Sequence, residues 1–110
     1  MPARYEIRWS QDRKHFWTLQ GNNNETLLTS ETYNSESAAK NGIESAKSNS
    51  PFESRYHKGT ASNGQYYFTL LAQNHETLGT SETYTTSSAR DHGIEATKKV
   101  GPTAPVVNLT

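Results

Sequence analysis

A serine, a glutamate and a tyrosine stand within four residues in the stretch TSETY, as Ser30, Glu31 and Tyr33, and the same letters return as Ser81, Glu82 and Tyr84. These are residue types of hydrolytic sites, and a hydrolase would add a histidine within hydrogen-bond reach of the serine. No histidine recurs at matching places in the two copies: His15, His57, His75 and His92 align with Tyr66, Glu6, Asn24 and Asn41. Paired acids fare little better. Glu25 and Glu31 are six residues apart, roughly 20 Å along an extended strand and beyond the carboxylate spacing of glycosidases. Glu31 and Glu82 come together only if a pseudo-twofold brings them there. The four histidines form neither H-x-H nor H-E-x-x-H, and there is no cysteine, so neither a metal set nor a thiolate is expected. No Gly-rich phosphate loop is present. The chemistry expected of TSETY is therefore structural, with no catalytic residue, metal or cofactor: each Ser-Glu finds backbone or basic partners at a corner, and Tyr33 and Tyr84 pack their rings beneath it while wetting their hydroxyls.

The elements that must position these residues come from a duplication. Arg4 to Pro51 aligns without a gap on Arg55 to Pro102 at an offset of 51 residues, with about 20 identities over about 48 positions. In each unit Tyr5, Ile7 and Trp9 alternate as in a strand, and SQDRK turns into a second strand. There His15, Trp17 and Leu19 share one face, and Phe16 shares the other with Thr18 and Gln20. In the second unit Asn63-Gly64 predicts a type I′ hairpin, whose two central residues both take positive φ. A second tight turn, NNNE or QNHE, leads to a third strand. Asn34-Ser35 and Thr85-Thr86 are suited to cap a helix. Its inward stripe is predicted at Ala38, Gly42, Ile43 and Ala46, and at Ala89, Gly93, Ile94 and Thr97. A helix glycine costs about 1 kcal/mol relative to alanine, so Gly42 and Gly93 predict a close approach of the helix backbone to the sheet. RYHK, after the first helix, aligns with RYEI at the start, and VVNL falls in the same register: the strand that follows one helix is the first strand of the next unit.

Composition bounds the rest. The chain has 110 residues, 31% of them hydrophobic and 10% aromatic, and no formal net charge. One domain of about 4–54 and 55–110 is expected, with aromatics doing much of the burying despite a mean hydropathy of −0.92. Charge balance gives no global field to attract polyanions or an acidic membrane. Neither a leader of signal-peptide length nor an apolar run of membrane-spanning length is apparent, so a soluble cytoplasmic protein is expected.

The pattern F/W-x-L…N-x-E-x-L-x-x-SE-x-Y…A-x-x-x-GI, twice over and with SNSP and a final NLT, resembles the YegP-like family of small bacterial proteins over nearly the whole chain. The resemblance implies an α+β fold of two tandem β3-α-β repeats that share an antiparallel sheet, exchange C-terminal strands and pack their helices on the sheet. It implies no established activity. Family members often carry Asn-Gly at the second turn, where this chain has Asn23-Asn24 and Asn74-His75, and an aromatic where His15 stands. The function expected is a non-enzymatic binding or protein-interaction module for a protein or small ligand, monomeric at full length. Its surface is placed at Phe16, Tyr67, Glu31, Glu82, Tyr33 and Tyr84. The alternative is a weak single-stranded nucleic-acid binder that stacks bases on Phe16 and Tyr67, with Arg4, Arg8, Arg13, Lys14, Arg55 and Lys58 nearby. Third comes a small-molecule enzyme using the Ser-Glu-x-Tyr segments.

Overall fold

The computed structural model describes residues 2–110. Each repeat folds as the alternation dictates. The first gives β1 (Arg4–Trp9), β2 (His15–Gln20), β3 (Thr26–Thr29) and α1 (Glu36–Asn49). The second gives β4 (Tyr56–Thr60), β5 (Tyr66–Leu71), β6 (Thr77–Thr80) and α2 (Ser87–Val100), and β7 (Val106–Asn108) follows. All strands join one sheet in the order β4-β5-β6-β3-β2-β1-β7. The halves meet at its middle, where Thr29 opposes Thr80 in antiparallel register.

All four hairpins use one geometry. Residue four of each turn donates to the carbonyl of residue one, and residue one donates to residue five, as in Gly64 to Ala61 (2.9 Å) and Ala61 to Gln65 (2.7 Å). The fourth residue is left-handed in each: Arg13, Asn24, Gly64 and His75 have φ of 64°, 66°, 84° and 70°. Asn63 is not left-handed, so the expected type I′ turn is instead a type I turn with a bulge at Gly64. The second turns are as tight without the Asn-Gly pair.

Both helices are capped where the hydroxyls predicted. Ser35 Oγ accepts from Ala38 N–H and Thr86 Oγ1 from Ala89 N–H, each at 3.0 Å. The inward stripe of α1 is Ala39, Gly42, Ile43 and Ala46, with Ala39 rather than Ala38 fully buried. In α2, Gly93, Ile94 and Thr97 are buried and Ala89 only partly. The helices cover one sheet face, over Tyr5, Ile7, Trp17, Leu19, Phe68 and Leu70. α1 reaches past its own β1 and β2 onto β5 and β6, and α2 lies on β5 and β3, so neither half has a core of its own. Near the junction the repeat is broken on purpose. A Cβ on Gly79 would lie 3.2 Å from Leu28 Cβ and 3.4 Å from Trp17, so a second leucine there would meet the first.

The exchange of C-terminal strands occurs once. β7 lies parallel to β1, with Tyr5 opposite Val106 and Ile7 opposite Asn108, the one parallel pair in the sheet. The strand after α1 is β4, which pairs with β5 alone and forms the other edge.

Candidate functional site

The repeated TSETY segment is a corner. Ser30 Oγ accepts from the buried Trp17 N–H at 2.9 Å and donates to Glu31 C=O at 2.7 Å. Ser81 repeats both bonds with Phe68 N–H and Glu82 C=O at the same distances. Each hydroxyl is thus spent on satisfying backbone where the ladder breaks. Two residues on, the chain returns to the strand: His15 N–H donates to Tyr33 C=O (2.9 Å) and Tyr33 N–H to His15 C=O (2.6 Å), mirrored by Tyr66 and Tyr84. The tyrosine rings then slide beneath the helices. A Cβ on Gly42 would lie 2.3 Å from Tyr33 Oη, and one on Gly93 would lie 2.5 Å from Tyr84 Oη. The helix glycines therefore make room for the corner tyrosines. Burial first, then the charges of Glu25 and Glu82, push the Tyr84 phenol up.

Of the residues expected to form a surface, the structure does not gather six into one site. Glu31 and Glu82 are exposed, and because β3 and β6 run antiparallel from Thr29 opposite Thr80, the two corners diverge rather than meet. Phe16 and Tyr67 stand on the face free of helices, opposite Arg8 and Gly59. They lie on β2 and β5 with β3 and β6 between, roughly 14 Å or more apart at about 4.8 Å per strand. Four threonines, Thr18, Thr29, Thr80 and Thr69, cross that face in continuous register. Its cations are largely engaged. Arg4 Nε bonds Glu6 at 2.8 Å and Arg8 clasps the other oxygen. Burial acts to raise the Glu6 carboxyl, but hydrogen bonds from Arg8 and Arg4 and their charges outweigh it and hold the group below the usual range. Among the described residues no three His, Cys, Asp or Glu side chains are placed to hold a metal.

A concave site lies elsewhere, at the seams where the helix of one repeat faces the hairpin of the other. One groove, about 730 Å³, runs between α1 and the β5–β6 turn. Its α1 wall includes Asn41, Ser45 and Asn49, its hairpin wall Gln73, Asn74 and Glu76, and Tyr33 and Gly42 lie at its floor. The equivalent groove, between α2 and the β2–β3 turn, is about 330 Å³, and there Ala96, Lys99 and Val100 replace Ser45, Ser48 and Asn49. In the larger groove Arg55 Nε donates to Asn49 Oδ1 at 2.8 Å, with its guanidinium 6.0 Å over the exposed Phe52 ring. Glu76 forms no ion pair among the described residues. Behind the floor, Trp17 Nε1 lies 3.0 Å from where a Gly42 Cβ would stand and has no acceptor among the described residues. Phe68 occupies the equivalent place in the other half and has no such donor. Of the expected residues only Tyr33 borders this groove. The helix wall is the part that differs, since Asn41, Ser45 and Asn49 align with His92, Ala96 and Val100, whereas Arg55, Asn74 and Glu76 recur as Arg4, Asn23 and Glu25; the usable signal for the groove is therefore the divergence along the two helices.

Fold and site together define a duplicated α+β module whose recurring residues build two corners and whose helices differ along the walls of two unequal grooves. The chain belongs to the family described as a domain of unknown function, DUF1508, which matches residues 10–56 and 61–108. It is 44% identical to the UPF0339 protein YegP of Escherichia coli K12 over the full length of both chains, and 42% identical to a UPF0339 protein of Acinetobacter baylyi over all of this chain and 99% of that one. It also resembles two solution NMR structures, each over its whole length. They are YegP of E. coli (TM-score 0.92, 44% identity, 95% of that chain) and a UPF0339 protein of Shewanella oneidensis (TM-score 0.90, 43% identity, 93% of that chain). No helix among the described residues is long and apolar enough to cross a membrane.

Proposed function

We propose that this protein is a non-enzymatic binding module whose ligand seat is the groove between α1 and the β5–β6 turn. The carrying observation is the asymmetry of two seams that the duplication would have made alike. One is narrowed by Lys99 and Val100; the other is more than twice as large and walled by amides and hydroxyls. Amides on both walls and the α1 hydroxyls suit a ligand rich in hydrogen bonds, and a few convergent polar groups in a preformed cleft are what fix such a ligand's orientation. Arg55 offers the remaining donors of its fork to an anionic end, and the unpaired Glu76 offers an acceptor to a cationic one. The ligand class that matches is a small zwitterion of amino-acid or dipeptide size.

The indole N–H resonance of Trp17 and the side-chain amides of Asn41 and Asn74 report on this seat. Titration with free amino acids and dipeptides is expected to shift them together, and Asn49→Val with Ser48→Lys, which reproduces the closed seam, is expected to abolish the response in a chain that still melts cooperatively. If none of these probes moves those resonances at millimolar concentration, or if the double variant responds as the parent does, the groove is not the seat.

A further inference from the structure

The internal symmetry leaves one surface uncovered that its twin covers. On β1, Tyr5 and Ile7 turn their backbone groups toward β7: Tyr5 N–H donates to Pro105 C=O at 2.8 Å and Leu109 N–H to Ile7 C=O at 2.9 Å. The counterpart of Ile7 on β4 is Lys58. It stands opposite Phe68, whose own N–H and C=O are both committed to Ser81, so this antiparallel pair exchanges no backbone bonds and Lys58 turns its N–H and C=O outward. The same holds at Thr60, because Tyr66 opposite it bonds Tyr84 through both groups. Among the described residues no strand lies beyond β4. The reason is in the connection: the strand that follows α1 is β4, so the segment that would have covered this edge has become the edge itself.

The uncovered edge is not a plain copy of the covered one. Tyr56 N–H is taken by Glu53 C=O in the short 3-10 turn before the strand, so an incoming strand would meet its first free N–H at Lys58. Lys58 replaces the buried Ile7 and pairs with Asp91 of α2 at 3.2 Å, both side chains nearly half exposed. A lysine on the helix side of an edge strand discourages apolar strands from adding there. At the twin edge the residue opposite Ile7 is Asn108, and paired residues of parallel strands share a face, so Asn108 lies on the helix side. At β4 the residue in that position would lie against the Lys58 ammonium.

We propose that the outer edge of β4 accepts an extended segment of another polypeptide as a parallel strand. Its order would be apolar, apolar, acidic, as in Val106-Val107-Asn108 with the asparagine replaced by an aspartate that faces Lys58. Main-chain bonds to Lys58 and Thr60 hold such a strand, and the charge selects it, the usual division of labour in strand addition. A second copy is the poorer occupant, since its own C-terminal strand is seated on its own β1.

The test uses the full chain and three labelled peptides, APVVDLT, APVVNLT and APVVKLT, followed by fluorescence anisotropy and by hydrogen exchange at single amides. The aspartate peptide is expected to bind about tenfold more tightly than the lysine peptide and to slow exchange at Lys58 and Thr60, and Lys58→Glu is expected to invert the preference. Lys58→Met, which keeps the volume and removes the charge, should bind all three peptides alike if the charge is the selector. Protection that appears instead at Tyr5 and Ile7 would mean displacement of β7 and would overturn the proposal. So would the absence of protection at Lys58 with every peptide, or concentration-dependent self-association in sedimentation that the aspartate peptide does not compete away.

Discussion

Single residues carry the local strain and the local fit. Arg13 and His75 hold left-handed backbone that costs an L residue roughly 1 kcal/mol, whereas asparagine tolerates it. Arg13→Gly and His75→Gly are therefore each expected to stabilise the fold, by up to about 1 kcal/mol after the larger unfolded-state entropy of glycine is subtracted. Asn24→Gly should change little, and urea midpoints of the three variants would show the difference. Gly42 is under the opposite constraint. Gly42→Ala places a carbon where Tyr33 Cζ would be 2.7 Å away, and forcing the ring aside is expected to cost about 1–3 kcal/mol in thermal melts. Glu6 sets a pH dependence. Its carboxyl is held below the usual range in the fold. The stability it gives is thus complete above the unfolded value of about 4.3 and is lost as pH falls through the lower folded value. Acid titration of Glu6→Gln is expected to show a shallower loss of stability below about pH 4 than the parent.

At the scale of elements, the corner decides how strand becomes helix. A buried Trp17 N–H that loses its acceptor costs about 1–3 kcal/mol, so Ser30→Ala should destabilise by that order and Ser30→Thr, which keeps an oxygen there, by less. Equal effects of the two in urea denaturation would mean that the hydroxyl is not what holds the corner. The elements were mostly legible in the chain: alternation gave the strands, hydroxyls before Ala38 and Ala89 gave the helix starts, and Trp17 and Phe16 were assigned to their correct faces. Turn type was not legible at Asn63-Gly64, because the pair fits either a two-residue turn or the end of a three-residue one, and the neighbouring bulge chose between them. Ala38 and Ala39 were likewise inseparable by periodicity, which resolves a helix face only to within one residue. The candidate site was the least legible part, since Asn41, Asn74 and Glu76 come together only through the packing of α1 on the other repeat's hairpin.

For the whole molecule, the central question is whether half of it can stand. Residues 1 to 58 would contain β1, β2, β3 and α1, but α1 would lose β5 and β6, on which it also rests, and β1 would lose β7. About 50 residues with an incomplete core are marginal at best. Sedimentation with circular dichroism of this fragment is expected to show either an unfolded chain or a dimer in which residues after Ser54 occupy the place of β7 in the partner. A cooperatively folded monomer would contradict the interdependence of the halves. What the chain alone determined was what repeats: two units, their strands, corners and capped helices, because these follow from spacing within some fifty residues, whereas the seating of the corner tyrosines against the helix glycines emerged only from the packing. What only the tertiary structure decided was everything in which the units differ. The last strand of the second unit covers the first strand of the first, while the strand that follows α1 is itself β4, which leaves that edge without an equivalent. One seam stays open and the other is narrowed. Those outcomes depend on contacts between residues far apart in the chain, and a periodicity that treats both halves alike cannot register where their symmetry is broken.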